Sequence, residues 1–253
     1  MTDERIILIT GGSRGLGRAA ALALADGGDD IVLTYRSDAD AAAAVVAEVR
    51  ARGRRAVALA LDTTAPDTFA EFAELLRETL DTQWARGTFD VLVNNAGYGG
   101  AAPVGAFDRD GIDRLVSVHF TGVVLLTQQL LPALADGGRI LNVSTGLTRF
   151  AAPGMAMYAA VKSAVETFTV YLAQDLGARG IAVNVIAPGA TATDFGGGAV
   201  RDDERYRAVL LPTVAMGRIG EPDDIGAAVA AILDPRMAWV TGQRIEASGG
   251  QRL

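Results

Sequence analysis

Tyr158 and Lys162 are the residues of this 253-residue sequence best suited by type and spacing to acid–base chemistry. Four positions apart, they share one face of a helix. A free phenol has a pKa of about 10 and exchanges protons poorly at neutrality, but an adjacent ammonium lowers that value by favouring the phenolate. Such a pair could give a proton to, or take one from, an oxygen that gains or loses negative charge during a reaction. Taken alone, the spacing reads more simply as a surface pair on a helix, so the rest of the chain must decide. A second constellation is Thr10-Gly11-Gly12-Ser13-Arg14-Gly15-Leu16-Gly17. An apolar run precedes it and a helical pattern follows. Glycines at these spacings permit a tight turn, close approach of backbone to a pyrophosphate, and close helix–strand packing. The helix N-terminus adds free N–H groups and a positive dipole end. Gly11, Ser13, Arg14, Gly15, Leu16 and Gly17 are therefore candidate phosphate-binding residues.

The elements that must position these groups read as strand and helix in alternation. Short apolar runs fall at 6–9, 31–34, 56–61, 89–93, 139–143, 181–186 and 243–246. Most are continuous rather than alternating, as expected of strands covered on both faces. Helical patterns lie between them at 18–25, 39–50, 68–79, 113–135, 157–177 and 222–233. This order predicts right-handed crossovers and a single α/β domain over 1–253, a doubly wound parallel sheet of the Rossmann type. Thirty glycines and a half-hydrophobic composition suit helices packed tightly on such a sheet.

The tip of the second strand bears on the choice of cofactor. In NAD-preferring folds an acidic residue there holds the ribose 2′-hydroxyl. Here the strand ends Thr34-Tyr35-Arg36-Ser37, with no carboxylate at the tip. Arg36, assisted by Arg14 and with Ser37 beside it, could clamp a 2′-phosphate through charge-assisted contacts. Asp38 opens the next helix and is expected to cap it. NADP(H) is the predicted cofactor, with solvated surface charge as the plainer role for both arginines.

These motifs together resemble the short-chain dehydrogenase/reductase family, including its 3-oxoacyl-[acyl-carrier-protein] reductases. The loop at 10–17 follows that family's Thr-Gly-x-x-x-Gly-x-Gly. Asn94-Asn95-Ala96-Gly97 matches its Asn-Asn-Ala-Gly, Tyr158-Ala159-Ala160-Val161-Lys162 its Tyr-x-x-x-Lys, and Pro188-Gly189 its Pro-Gly. Four motifs in order span nearly the whole chain. The resemblance implies that Tyr158 is the acid and that Lys162 holds the nicotinamide ribose. It adds Asn94, Ala96, Gly97, Pro188, Gly189, Thr191 and Thr193 to the cofactor site, and Asp62 beside the adenine. The family's substrate-binding serine falls on Thr145, which supplies the same hydroxyl. Ser144 is one residue earlier, and alternation along an extended segment should point it the other way. The family's catalytic asparagine falls on His119, the only histidine. Two readings of His119 stay open: a proton relay, or a buried helix histidine bonded to backbone.

Reduction of a ketone, such as a 3-oxoacyl thioester or a polyketide-like carbonyl, is the expected reaction. Oxidation of a sugar or steroid-like alcohol and a catalytically silent NADP(H)-binding protein are the alternatives. The segment 191–212 corresponds to the family's substrate-covering loop. Tyr98, Leu147, Phe150, Met155 and Phe195 are the expected lining of an apolar pocket. By resemblance, and from the long apolar helices, a homo-oligomer is expected, a tetramer or dimer. A net charge of −7 argues against nucleic acid as a partner. One histidine and no cysteine give no support to a metal site. The N-terminal residues show no signal-peptide pattern and no apolar stretch is long enough for a membrane span, which predicts a cytoplasmic protein acting on a small molecule.

Overall fold

Seven strands pair side by side, and all of them run parallel. A computed structural model describes residues 4–253, so the residues before Glu4, in which no leader was read, lie outside it. The strands are β1 (Ile6–Ile9), β2 (Asp30–Tyr35), β3 (Ala56–Ala60), β4 (Phe89–Asn94), β5 (Leu134–Val143), β6 (Ala182–Pro188) and β7 (Arg244–Ala247). Their order in the sheet is β3-β2-β1-β4-β5-β6-β7. The order reverses between β1 and β4, which opens a crevice at the carboxyl ends of these strands, where doubly wound folds bind ligands.

Helices α1 (Gly15–Asp26), α2 (Ala39–Ala51), α3 (Phe69–Trp84), α4 (Arg109–Val116), α5 (Gly122–Leu130), α6 (Ala156–Leu176), α7 (Ala199–Asp202), α8 (Glu204–Leu210) and α9 (Pro222–Ile232) join the strands. Residues of β1 alternate between two cores. Ile7 and Ile9 pack with α1, α2 and α9, whereas Ile6 and Leu8 pack with α3, α5 and α6. Strand β1 is thus covered on both faces, which explains its unbroken apolar run. Among the described residues no helix is long and apolar enough to cross a membrane.

Several helices depart from the sequence reading: α1 begins at Gly15, α7 and α8 lie where no helix was expected, and two others differ more deeply. The helical pattern at 113–135 is not one helix: α4 passes through a π-helical turn, Ser117–Thr121, into α5, and β5 has begun by Leu134. Close packing at Gly122 accompanies the break, since a Cβ there would fall 2.3 Å from the Thr63 carbonyl oxygen. Such turns often mark functional sites, and this one contains His119. Helix α3 runs on to Trp84 because the buried indole donates a 2.7 Å hydrogen bond to Asp30.

Candidate active site

The cradle at the end of β1 is built by glycines that tolerate no side chain. Gly11 and Gly15 have φ of 64° and 53°, in the left-handed region where Cβ atoms are strained. A Cβ on Gly17 would fall 2.3 Å from the Gly11 carbonyl and 2.5 Å from Asn95 Nδ2; one on Gly11 would strike Ala96. Asn95 Nδ2 donates to the carbonyls of Thr10 and Gly11, at 2.9 and 3.0 Å. The Thr10 hydroxyl accepts from the amides of Asn95 and Ala96. These bonds lock the loops after β1 and β4 together at the mouth of the crevice. Helix α1 begins at Gly15 with no side-chain cap, so its first amides remain available to an anion. Ser13 and Leu16 lie within this loop, and Leu16 packs onto the core.

At the tip of β2, Arg14 and Arg36 are exposed and make no ion pair among the described residues. Other arginines are tied, as Arg18 is to Glu48 and Arg86 to Asp90. Ser37 is also exposed, and Asp38 caps α2 through the Ala41 amide, the structural duty expected of it. Asp62 opposes burial, which raises its pKa, with hydrogen bonds from the Thr64 amide and hydroxyl and the charge of Arg36; the net direction is downward.

The catalytic candidates meet on α6. Tyr158 and Lys162 are buried, and Lys162 is the only lysine of the chain. Its Nζ donates 2.7 Å to the Val143 carbonyl and lies 5.9 Å from the Tyr158 ring centroid. Burial brings Lys162 down to about 8, against an upward pull from Glu166. Burial pushes Tyr158 upward, so the lowering expected from the neighbouring ammonium does not prevail here. The phenol stays protonated at neutrality.

His119 is 1% exposed. Its Nε2 lies 2.8 Å from the Tyr98 carbonyl, a contact that requires the proton on Nε2; the 3.5 Å approach of the Tyr98 amide to the same nitrogen is then no hydrogen bond. Nδ1 has no partner among the described residues. Burial, then the charge of Lys162, lowers its pKa to about 3, which leaves the ring neutral. The ring is thus buried and bonded to backbone through Nε2. Gly97 makes room for the ring, since a Cβ there would fall 2.6 Å from Cε1.

Ser144 and Thr145 diverge as alternation requires. Ser144 donates 2.6 Å to Glu166, while the Thr145 hydroxyl accepts from the Leu147 amide and caps a turn at Gly146–Thr148. Above the phenol, rings run in sequence: Tyr98 to His119 at 5.4 Å, His119 to Tyr158 at 5.3 Å, and Tyr158 to Phe195 at 5.8 Å between centroids. Leu147 and Met155 pack against the same cluster. Phe195 precedes three successive glycines with positive φ, Gly196, Gly197 and Gly198. A cavity of about 570 Å³ is lined by Gly197, Gly198, Ala199 and the 202–205 segment, and reaches neither Tyr158 nor Lys162.

Two expected site residues are engaged elsewhere. The Asn94 side chain turns into the core, donating to Thr127 and Asn142; its neighbour Asn95 serves the cradle instead. Strand alternation sends the two side chains to opposite sides. Phe150 is held between the guanidiniums of Arg149 and Arg252, at 5.4 and 5.3 Å, rather than in the ring cluster. At the end of β6, Pro188 is buried, and the Gly189 amide bonds the Ala247 carbonyl. Thr191 donates to the Gly189 carbonyl, and Thr193 accepts from the Phe195 amide. A Cβ on Gly15 would touch the Thr193 side chain at 3.8 Å, so this loop closes over the cradle.

A family model described as enoyl-(acyl carrier protein) reductase matches residues 11–252. A solved short-chain dehydrogenase/reductase from Serratia marcescens has a TM-score of 0.91 and 29% identity, each chain covered completely. A 3-oxoacyl-[acyl-carrier-protein] reductase from Synechocystis is 34% identical over 249 residues, covering 97% of this chain and 96% of its own. The chain belongs to the short-chain dehydrogenase/reductase family. The solved angucycline C-6 ketoreductase LanV with bound NADP is similar too, with a TM-score of 0.92, 34% identity, and 98% and 95% of the two chains covered. Membership makes this protein an oxidoreductase. Sequence reasoning missed Asn95, although it belongs to the same Asn-Asn pair as Asn94. It also missed Glu166, whose only signal was its place one helical turn after Lys162.

Proposed function

We propose that this protein is an NADP(H)-dependent ketoreductase, which converts a ketone into a secondary alcohol. The observation that carries the reading is the buried Tyr158–Lys162 pair on α6, with Lys162 Nζ 5.9 Å from the phenol ring at the mouth of the crevice, where a phenol can give its proton to a carbonyl oxygen. Gly11, Gly15, Gly17, Ala96 and the first turn of α1 fit a pyrophosphate, and the unpaired Arg14 and Arg36 fit a 2′-phosphate. The NADP held by the similar LanV supports the same choice. Asp62, Gly97, Pro188, Gly189, Thr191 and Thr193 complete the proposed cofactor site. When bound, the nicotinamide supplies the hydride. Tyr158 gives its proton to the carbonyl oxygen, and the Thr145 hydroxyl hydrogen-bonds that oxygen. The Lys162 ammonium holds the cofactor ribose and stabilises the phenolate left behind. Neutral His119, its Nε2 proton held by the Tyr98 carbonyl, keeps the site open and takes no part in proton transfer.

The rings of Tyr98 and Phe195, with Leu147 and Met155, favour an apolar ketone over a charged one. Cofactor consumption should be followed with a panel of aryl ketones, polyketide-like ketones, 3-oxoacyl thioesters and enoyl thioesters, and products identified by mass. Alcohol formed from a ketone with NADPH supports the reading. A saturated thioester formed only from the enoyl substrates, or no turnover across the panel, overturns it.

A further inference from the structure

Glu166 is tied to the catalytic centre by more hydrogen bonds than any surface duty requires. Its Oε1 accepts from Ser144 Oγ at 2.6 Å, from Thr148 Oγ1 at 2.8 Å and from Arg244 Nε at 2.9 Å. These donors flank Thr145 on both sides. Arg244 also donates to the Thr145 carbonyl itself, at 3.1 Å. The turn that presents the Thr145 hydroxyl is therefore fastened to α6 at Glu166, one helical turn from Lys162. We propose that Glu166 is a positioning residue of the catalytic centre, holding the Thr145 turn against α6 and placing its negative charge one helical turn from Lys162.

The fastening extends well beyond these residues. Arg244 bridges Glu166 to Glu246, and Glu246 pairs with Arg149. Arg149 also donates to the carbonyls of Gln251 and Arg252, and the Gln251 side chain accepts from the Ala190 amide at 2.9 Å. One chain of polar contacts thus joins the Thr145 turn to the C-terminal residues and to the loop after β6. Around Lys162, the facing groups are Tyr158 and Glu166 from α6, His119 from the 117–121 turn, and the Val143 carbonyl and Ser144 hydroxyl from β5. Arg244 of β7 acts on it through Glu166. Glu166 is the one anion of this set.

The proposal rests on the ketoreductase reading for its kinetics but not for its titration. Lys162 is the only lysine, so protein labelled with ¹³C-lysine gives one side-chain resonance whose pH titration is read without turnover. Removing the nearest opposite charge in Glu166→Gln should lower the Lys162 pKa by roughly one unit. Loss of the anchor should lower kcat by about tenfold or more, with KM for NADPH within about twofold of wild type. The falling limb of the pH–rate profile should move downward with the resonance. Ser144→Ala cuts one tether and leaves the charge, so it should lower kcat several-fold with the resonance unmoved. A Lys162 titration identical in wild type and Glu166→Gln overturns the electrostatic part, whatever the enzyme reduces. An unchanged kcat in folded Glu166→Gln overturns the positioning part. Should the Gln variant fail to fold, Glu166→Asp keeps the charge and loses reach. It should hold the titration and lose kcat, and full kcat there overturns the positioning part equally.

Discussion

The neutral state of His119 has a consequence for stability that can be computed and measured. The ring titrates near 6.5 when unfolded and near 3 when folded, so between those values the unfolded chain binds the extra proton. Stability from this group is therefore complete above pH 6.5 and is lost as pH falls toward 3. From pH 7 to pH 4.5 the loss works out at about 2.5 kcal/mol. Solvent screening does not reduce it much, since the side chain is 1% exposed. The assay is urea unfolding of wild type and His119→Asn at both pH values and one protein concentration. Carboxylates common to both proteins cancel, so wild type should lose about 2.5 kcal/mol more than the variant. Because the ring is already neutral at pH 6–7, His119→Asn should retain turnover without an altered profile there. His119→Leu should lower kcat, since it strands the Tyr98 carbonyl at a cost of about 1–3 kcal/mol. Equal acid losses in both proteins, or an inflection near pH 6–7 that vanishes in the Asn variant, would refute the assignment of a neutral ring.

Other perturbations follow from the same geometry. Arg36→Asp should weaken NADPH far more than NADH, as read by titration of each cofactor, because it removes a cation from the 2′-phosphate site and adds a repulsive charge; equal weakening would make Arg36 structural. Thr145→Ser should keep activity, and Thr145→Ala should lower kcat by roughly 10²–10³-fold, the usual effect of losing one oxyanion donor. A larger loss in Ser144→Ala than in Thr145→Ala would mean that the substrate hydroxyl has been misassigned. Light scattering should report a homo-oligomer, a tetramer or dimer, because Leu125 of α5 and Val170 and Tyr171 of α6 leave apolar surface exposed; a monomer at micromolar concentration would contradict this.

The parts of the site written in short spacings were legible in the sequence. The glycine cradle, the Tyr158–Lys162 pair and the order of strands depend on neighbours a few residues apart, and periodicity carries that information. The π-helical turn at Ser117–Thr121 was not legible, since the apolar pattern at 113–135 continues through it and the close approach of Thr63 to Gly122 is a tertiary fact. The exchange of roles between Asn94 and Asn95 hangs on strand register at a single residue. Phe150 was assigned to the pocket by composition, whereas the arginine that closes over it from the C-terminus, Arg252, lies about a hundred residues away in sequence. The Glu166 network was hidden for the same reason: the bond from Arg149 to Glu246 spans 97 positions.

The central claim is that Tyr158 supplies the proton as a hydride reaches a ketone. Its most direct measurement uses NADPH carrying deuterium at the transferred position, one ketone from the panel, and mass analysis of the alcohol formed by wild type and by Tyr158→Phe. The account predicts one deuterium on the carbinol carbon with wild type. It predicts almost no alcohol from the Phe variant, although that variant binds NADPH with near wild-type affinity, because the ring keeps its packing and has no proton to give. Comparable labelled alcohol from the Phe variant, or unlabelled alcohol from wild type, would contradict it.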